Sequence, residues 1–249
     1  MSTATVYPSA RSTPFGDQAR LYAAAFARLR AAGLVYPCYC ARSELARIAS
    51  APQQEGQVES SPRYPGNCRN LTPAQRAELE AAGRRPSWRF RAPEGEITFH
   101  DLLHGAVTEN VAATVGDFIV RRSDGVFAYQ LAVVVDDALM GVDQIVRGED
   151  LLGSTARQLA LYDALGYPHP TEYVHVPLAL DATGARLAKR DAAAGLDALK
   201  AAGRTAEEIF GALAASCGLW TEGTPATLAE VLVTLAPAKI RRAPSIIAL

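Results

Sequence analysis

The stretch "DQIVRGEDLLGSTARQLALYDALGYPHPTEYVHVPLAL", residues 143–180, decides the fold class of this chain. Its first apolar run ends in a charged turn and predicts a strand. Residues 154–166 then have the periodicity of a helix, with Ser154 as the N-cap and Gly166 at the C-terminal end. The second apolar run, residues 172–180, predicts a buried strand. Strand, helix and strand in this order form a βαβ unit, so we predict an α/β fold.

The segments before this unit predict smaller elements. Residues 17–32 form a helix that ends at Gly33, and residues 71–83 form a second helix with a Thr72/Gln75 capping box. "SWRFRAP" and "EITFHD" alternate like strands, and "DFIVRRSDGVFAYQ" predicts a hairpin that turns at Asp124-Gly125. The apolar run "LAVVVDDAL" fits a strand or a helix equally.

The composition indicates a soluble globular protein of one large or two small domains. The 249 residues are 49% apolar, without a run of membrane-spanning length, and the first residues lack the layout of a secretory signal. We therefore expect a cytoplasmic protein, in which clustered cysteines favour a metal site or catalysis over disulfides. With 25 basic and 26 acidic residues, the net charge gives no argument for nucleic-acid binding.

Three of the four cysteines lie in one region, at Cys38, Cys40 and Cys68. Zinc takes four tetrahedral ligands, so three thiolates leave one position to fill. The candidates for the fourth ligand are Tyr64 and three glutamates: Glu44, Glu55 and Glu59. The alternative is that the thiols fill a small core, and zinc is favoured over it.

The remaining cysteine, Cys217, lies in an apolar helical segment near the C-terminus. We predict that it packs in a core. The same segment begins with a Thr205/Glu208 capping box.

Polar residues follow three of the apolar runs, where an open α/β sheet binds its ligands. Tyr129 stands beside a run that ends in Asp136 and Asp137, and Arg147 with Gly148 follows "QIV". The third group is the loop "GARLAKRD", residues 184–191, which contains Lys189. A guanidinium can bind a carboxylate in bidentate fashion, and a lysine can neutralise phosphate charge. Each feature alone is ordinary, but together they favour a nucleotide-type site.

Two long segments resemble the second half of a glutamyl-tRNA synthetase catalytic domain. They are "FAYQLAVVVDDALMGVDQIVRGEDLLGSTARQLALYDALGYP" and "YVHVPLALDATGARLAKRD", residues 127–168 and 173–191. The motifs "CYC" and "YPGNC" resemble the zinc site of the short glutamyl-Q tRNA(Asp) synthetases. The resemblance runs from about residue 17 to the end of the "GARLAKRD" loop.

The resemblance implies a Rossmann-like class I synthetase catalytic domain with an inserted, small α+β zinc-containing subdomain. Residues 1–36 would be a remnant of the nucleotide-binding fold, and residues 37–115 the inserted subdomain. Residues 116–191 would be the second half of the catalytic domain with its KMSKS-like loop, and residues 192–249 a C-terminal helical region.

The resemblance also assigns roles to single residues. Tyr64 becomes the fourth zinc ligand, beside the three clustered cysteines. Tyr129 and Arg147 take positions that hold the glutamate substrate, with Arg147 facing a carboxylate. The ATP site takes Gly148 and the loop "RLAKR", in which Lys189 is the catalytic lysine. The loop departs from the family pattern because Arg186 stands for the first lysine and Ala188 for a serine.

The implied reaction has two steps and uses ATP, Mg²⁺ and glutamate. The α-carboxylate of glutamate attacks the α-phosphate of ATP, giving glutamyl-adenylate and pyrophosphate. The glutamyl group then passes to the cyclopentene diol of queuosine in tRNA-Asp, with release of AMP. We expect a monomer that does not associate with membranes.

The family's HIGH-like signature and the acidic segment near it do not occur in this sequence. Two explanations stay open: Met1 is a wrong start or a fragment boundary, or the chain is a degenerate paralogue. The alternative function is therefore a non-catalytic, zinc-containing paralogue that binds RNA or another partner.

Overall fold

The computed structural model describes residues 15–41, 43–45, 63–180, 196–235 and 240–246, without side-chain detail for residues 15–17 and 245–246. Within these ranges, no helix combines the length and the apolar character needed to cross a lipid bilayer. The chain divides into two compact units. The first comprises Met1–Thr98, Thr108–Asp143 and Ser154–Pro170, and the second comprises Phe99–Val107, Gln144–Gly153 and Thr171–Leu249. The domain boundaries predicted from the sequence stay a prediction.

A three-stranded antiparallel sheet supports the first unit. Its strand order is β1-β2-β5, with β1 at Val35–Cys38, β2 at Ser87–Phe90 and β5 at Phe118–Arg121. In the register of β1 and β2, Cys38 lies opposite Ser87. The sheet therefore ends at the first of the clustered cysteines.

Helix α1, Phe15–Ala31, covers one side of the core of this unit. Ala25, Phe26 and Leu29 are buried, and Leu21 and Tyr22 pack against them, so this face of the predicted helix lies in the core. Helix α2, Pro73–Ala81, begins with the predicted capping box, in which Thr72 and Gln75 bond reciprocally. The short helix α3 spans Val111–Thr114.

The undecided apolar run is a helix, α4, which spans Tyr129–Met140. Leu131, Val134 and Val135 are fully buried at helical spacing, which gives the run one core-facing side. The interpretation of Tyr129, Asp136 and Asp137 as polar residues at the end of a strand is therefore wrong, because all three lie in this helix. Of the predicted hairpin, the turn at Gly125 forms and a bridge joins Arg121 to Phe127, but α4 begins before a second strand can extend.

A four-stranded sheet of order β4-β3-β7-β6 contains the predicted strand–helix–strand unit. Strands β6 and β7 pair in parallel, and β3 pairs in parallel with the other edge of β7. The strands are β3 at Ile97–Asp101, β4 at Gly105–Glu109, β6 at Gln144–Gly148 and β7 at Glu172–Val176. Their order supports the predicted α/β class, because β6 and β7 are joined through a helix.

That helix, α5, spans Leu152–Leu165 and follows a 3₁₀ turn at Glu149–Leu151. The prediction that Ser154 caps it is wrong, because Ser154 lies inside the helix and is buried. Its hydroxyl instead accepts hydrogen bonds from Gln130 and Arg157, at 3.1 Å and 3.0 Å. The end at Gly166 is confirmed, with a left-handed φ of 63°.

The C-terminal part of the second unit is helical, as predicted. Its elements are α6 at Leu196–Ala201, α7 at Ala206–Ser216 and α8 at Leu228–Thr234, and a two-stranded pair of β8 at Ala179–Leu180 with β9 at Ser245–Ile246. The capping box of Thr205 and Glu208 is confirmed. Cys217, predicted to lie in a core, is half-buried and ends α7.

Candidate functional site

Three thiols gather at the end of strand β1. Cys38 is the last residue of the strand, Cys40 lies two residues on, and Cys68 comes from a turn after residue 63. Their Sγ atoms all lie within 4.8 Å of one another, and the Cys40 and Cys68 sulfurs are 3.6 Å apart. The structure therefore brings together the three cysteines that the sequence singled out.

The hydroxyl of Tyr64 joins this cluster. Its Oη lies 3.4 Å from the Cys38 Sγ and 3.9 Å from the Cys40 Sγ, and it accepts a hydrogen bond from the Cys68 amide at 3.0 Å. Glu44, one alternative ligand, instead accepts a hydrogen bond from the Ala41 amide and forms an ion pair with Arg84 at 3.0 Å. The other two glutamates, Glu55 and Glu59, lie outside the described residues.

Three of the interatomic distances in this cluster fit a tetrahedral metal. A tetrahedral zinc with Zn–S bonds near 2.3 Å separates two sulfurs by about 3.8 Å, and a sulfur from an oxygen by about 3.6 Å. The observed distances of 3.6 Å between two sulfurs, and of 3.4 and 3.9 Å between sulfur and oxygen, lie close to these values. The donor set of three thiols and a phenol can therefore hold one cation.

The four groups are hard to ionise together without such a cation. Burial raises the pKa of the Cys38 thiol, but hydrogen bonds from Tyr64, the Cys40 amide and Arg89 outweigh it, so that the pKa lies below its ordinary value. Burial and the adjacent sulfurs raise the pKa of Cys40 to about 12. Burial and the hydrogen bond with Cys38 also raise the pKa of Tyr64. One negative charge is thus favoured in the cluster, and a bound metal would favour the others.

Buried charged residues surround the cluster. The Arg89 guanidinium donates from Nε to the Cys38 Sγ at 3.3 Å and from Nη1 to the Asp117 carbonyl at 2.7 Å. The carboxylate of Asp117 accepts hydrogen bonds from the Tyr36 hydroxyl at 2.6 Å and from the Ala92 amide at 2.8 Å. Sequence reasoning missed both residues, although a charged residue in each strand-like segment was the available signal.

A glycine determines how closely the chain approaches Tyr64. Gly116 has a left-handed φ of 71°, and a Cβ atom there would lie 2.5 Å from the carbonyl oxygen of Tyr64. The neighbouring Val115 carbonyl accepts a hydrogen bond from the Tyr64 amide at 2.9 Å. The segment that follows α3 therefore holds the backbone of Tyr64 through a hydrogen bond and a close contact.

A second group of side chains lies in the other unit, at the carboxyl ends of three parallel strands. Arg147 on β6 is half-buried and lies beside the fully buried His175 on β7 in the sheet register. The Nε of Arg147 donates to the Nε2 of His175 at 2.9 Å. On the other edge of β7, the Asp101 carboxylate is 2.7 Å from the Nδ1 of His175. Sequence reasoning selected Arg147 and missed Asp101 and His175.

Of the other predicted site residues, Gly148 directly follows Arg147 on β6. Tyr129, at the start of α4, is 52% exposed and belongs to the first unit. Gly148 ends β6, and a Cβ atom there would lie 2.5 Å from Oδ1 of Asp150, which is the end of a side chain that can move. Arg186 and Lys189, in the predicted ATP loop, lie outside the described residues.

Comparison with known proteins gives concordant matches. The family of class I tRNA synthetases (E and Q), catalytic domain, matches residues 7–224. A Glutamyl-Q tRNA(Asp) synthetase of Symbiobacterium thermophilum is 49% identical over 228 residues, which cover 92% of this chain and 69% of the relative. A protein of the same name from Nitratidesulfovibrio vulgaris is 51% identical over 204 residues, which cover 82% of this chain and 62% of the relative.

The fold is shared with solved structures of glutamate tRNA ligases. The ligase of Elizabethkingia meningosepticum superposes with a TM-score of 0.72 at 21% identity, over 95% of this chain and 52% of that chain. The chain thus spans roughly two thirds of its curated relatives and half of this ligase. The class I synthetase fold predicted from the sequence is confirmed, and the chain belongs to the family of class I tRNA synthetases (E and Q), catalytic domain.

Proposed function

We propose that this chain takes part in the ATP-dependent activation of glutamate and in the transfer of the glutamyl group to queuosine in tRNA-Asp. The relatives named Glutamyl-Q tRNA(Asp) synthetase, at 49% and 51% identity, support this choice of substrate. In the structure, the proposal is supported by the half-buried guanidinium of Arg147, which lies at the carboxyl end of a parallel strand. Ligands of open α/β sheets bind at that end.

In the proposed reaction, a carboxylate oxygen of glutamate attacks the α-phosphorus of ATP and pyrophosphate leaves. A hydroxyl of the queuosine diol then attacks the acyl carbon of glutamyl-adenylate, and AMP leaves. Such a reaction needs reactants held in place and negative charge stabilised more than it needs a side-chain nucleophile. Mg²⁺ would offset the charge of the phosphates.

The roles of single residues in this reaction are proposals as well. Arg147 binds a carboxylate of glutamate, and Tyr129 contacts the same substrate from the start of α4. Gly148, Arg186 and Lys189 contact ATP, with Lys189 offsetting phosphate charge during the displacement. The exposed hydroxyphenyl group of Tyr129 and the partial exposure of Arg147 are consistent with contact to a substrate.

We also propose that Cys38, Cys40, Tyr64 and Cys68 bind one zinc ion. The interatomic distances of 3.4 to 3.9 Å in the cluster support this assignment. The ion would tie β1 to the turn that contains Cys68, which is a structural role. Metal analysis of the purified chain should find about one zinc per molecule, and Cys40→Ser should lower that ratio while Cys217→Ser leaves it unchanged. A chain that is folded and free of metal would reject this assignment.

Glutamate-dependent exchange of pyrophosphate into ATP tests the first step. Arg147→Lys retains the charge but loses the bidentate donor, so we expect a fall in kcat/KM for glutamate of about 10- to 100-fold. Arg122→Lys is the matched control, because Arg122 is exposed and pairs with Asp124 in the hairpin turn. Transfer of labelled glutamate should then require tRNA-Asp that contains queuosine, and unmodified tRNA-Asp should remain unlabelled.

The alternative is a zinc-containing module that binds RNA without catalysis. The cluster of Cys38, Cys40 and Cys68, which could bind zinc without a nucleotide site, is the observation that favours it. A folded, zinc-loaded chain without glutamate-dependent exchange, but with affinity for tRNA, would replace the enzymatic proposal by this one.

A further inference from the structure

A continuous hydrogen-bonded chain of side chains crosses three neighbouring strands. Asp101 is the last residue of β3, His175 is on the central strand β7, and Arg147 is on β6. The hydrogen bonds are 2.7 Å from His175 Nδ1 to Asp101 Oδ2 and 2.9 Å from Arg147 Nε to His175 Nε2. Asp101 and His175 are both fully buried, so the bond between them is shielded from water.

The hydrogen bond donated by Arg147 fixes the protonation state of His175. An arginine Nε carries a proton and has no acceptor capacity, so the Nε2 of His175 must accept through its lone pair. The remaining ring proton is then on Nδ1, from which it donates to Asp101. A neutral imidazole with one defined tautomer is the result.

The Asp101 carboxylate, at one end of this series of hydrogen bonds, is itself held in place by backbone amides. The Oδ2 of Asp101 also accepts the amide proton of His175 at 3.0 Å, and its Oδ1 accepts those of Leu103 and His104, each at 2.9 Å. The His104 ring lies 3.1 Å from the carbonyl oxygen of His175. The carboxylate and the backbone of β7 therefore define where the imidazole lies.

From this geometry we infer that Asp101 and His175 are positioning residues, which hold the Arg147 guanidinium by its Nε so that its Nη edge binds a carboxylate of the substrate. An arginine side chain has several rotatable bonds, and fixing it before binding lowers the entropy lost when the ligand arrives. Because Nε is bonded to His175, a carboxylate that binds this guanidinium does so through an Nη donor. That this carboxylate belongs to glutamate rests on the proposed function. The hydrogen bonds among Asp101, His175 and Arg147 are observed independently of that function.

Two substitutions of His175 separate its two hydrogen bonds. In His175→Asn the amide nitrogen can replace Nδ1 as the donor to Asp101, but nothing replaces the acceptor for Arg147. In His175→Gln the longer side chain can place an oxygen near the former Nε2, which retains the acceptor. His100→Asn is the matched control, because His100 is exposed on the same strand as Asp101.

Glutamate binding to the full chain, measured by calorimetry, is the first measurement. We expect His175→Asn to weaken glutamate binding by about 10-fold or more, which is the effect of one charged hydrogen bond, and His175→Gln to retain it within about threefold. We expect His175→Asn and His175→Gln to have the same melting temperature as each other and the same affinity for ATP. Equal losses in both variants, or parallel losses of glutamate and ATP binding, would overturn the positioning role.

Nitrogen NMR of the labelled chain is the second measurement, and it does not depend on substrate. The wild-type spectrum should show His175 protonated on Nδ1 and unprotonated on Nε2, and a slowly exchanging Nε proton of Arg147. That slow exchange should persist in His175→Gln and be lost in His175→Asn. The opposite tautomer would overturn the inference even if glutamate binds. Absence of glutamate binding by a wild-type chain with the expected spectrum would count against the proposed function alone.

Discussion

The Nε of Arg89 donates to the Sγ of Cys38 at 3.3 Å, inside a part of the first unit that excludes water. The same guanidinium lies 3.7 Å from the ring centroid of Tyr64, in a cation–π contact. A fixed positive charge therefore touches two of the four groups proposed to bind zinc. It stabilises the thiolate form of Cys38, which is the form that ligates metal.

We predict that Arg89→Met weakens zinc binding without preventing folding. Methionine fills much of the same volume but supplies neither the donor to Cys38 nor the contact to Tyr64. Loss of a residue that orients a metal ligand costs about 10- to 100-fold in metal affinity. Competition with a chromogenic chelator measures this change directly. Arg85→Met, at an exposed position on the approach to β2, should bind zinc as the wild type does.

We predict that the hydroxyl of Tyr64 contributes to zinc binding and that the hydroxyl of the neighbouring Tyr39 does not. Tyr64→Phe removes the Oη that lies 3.4 Å from the Cys38 sulfur, so zinc should be lost to a chelator at lower chelator concentration. Tyr39→Phe removes a hydroxyl that donates to Glu80 at 2.6 Å and leaves in place the Tyr39 amide, which donates to the Cys68 sulfur at 3.4 Å. Equal zinc retention in the two variants would remove Tyr64 from the ligand set.

Gly116→Ala should destabilise the chain through two separable effects. The left-handed backbone at φ 71° costs a residue with a Cβ atom about 1 to 2 kcal/mol, and the 2.5 Å contact with the Tyr64 carbonyl adds a steric cost. Gly141→Ala isolates the first effect, because Gly141 has a φ of 69° and no heavy atom within 4 Å of the added Cβ. Denaturant unfolding should therefore show a larger loss for Gly116→Ala, and a loss of the same size would argue against the contact.

The elements that the sequence predicted best depend on local interactions. The capping boxes of Thr72 and Thr205 and the helix end at Gly166 involve residues a few positions apart, so their residue types suffice to predict them. Ser154 was misassigned because a serine at the start of an apolar segment also fits a cap. Its burial against Gln130 is a tertiary contact that no local pattern contains.

The chain of Asp101, His175 and Arg147 could not be predicted for the same reason. Its bonds join residues separated by 74 and 28 positions, and they depend on the register of three strands. Because side chains alternate along a strand, a shift of one residue would turn His175 to the other face of the sheet. The clustered cysteines were easier to predict, because two of them lie two residues apart and the third shares their region.

The buried position of His175 predicts a pH dependence of stability. Burial lowers the pKa of this imidazole below its ordinary value of 6.5, and the charge of Arg147 and the ring of His104 act in the same direction. The hydrogen bond to Asp101 opposes them, but the net shift is downward. As the pH falls through 6.5, the imidazole therefore binds a proton more readily in the unfolded chain than in the folded one, so the free energy of unfolding decreases.

We expect His175→Gln to remove this contribution. The slope of unfolding free energy against pH, measured by denaturant titration between pH 5 and 6.5, should be smaller in the variant by up to about 1.4 kcal/mol per pH unit. The Asp101 carboxylate stays charged throughout this window, because its hydrogen bonds outweigh burial and lower its pKa below the ordinary 3.8. The other titratable groups are common to the two proteins, and Asp101 keeps its hydrogen bonds from the amides of Leu103, His104 and residue 175, so we assign the difference between the slopes to the imidazole. Identical slopes would mean that the His175 imidazole takes up its proton in the folded state as readily as in the unfolded chain, and would contradict this prediction.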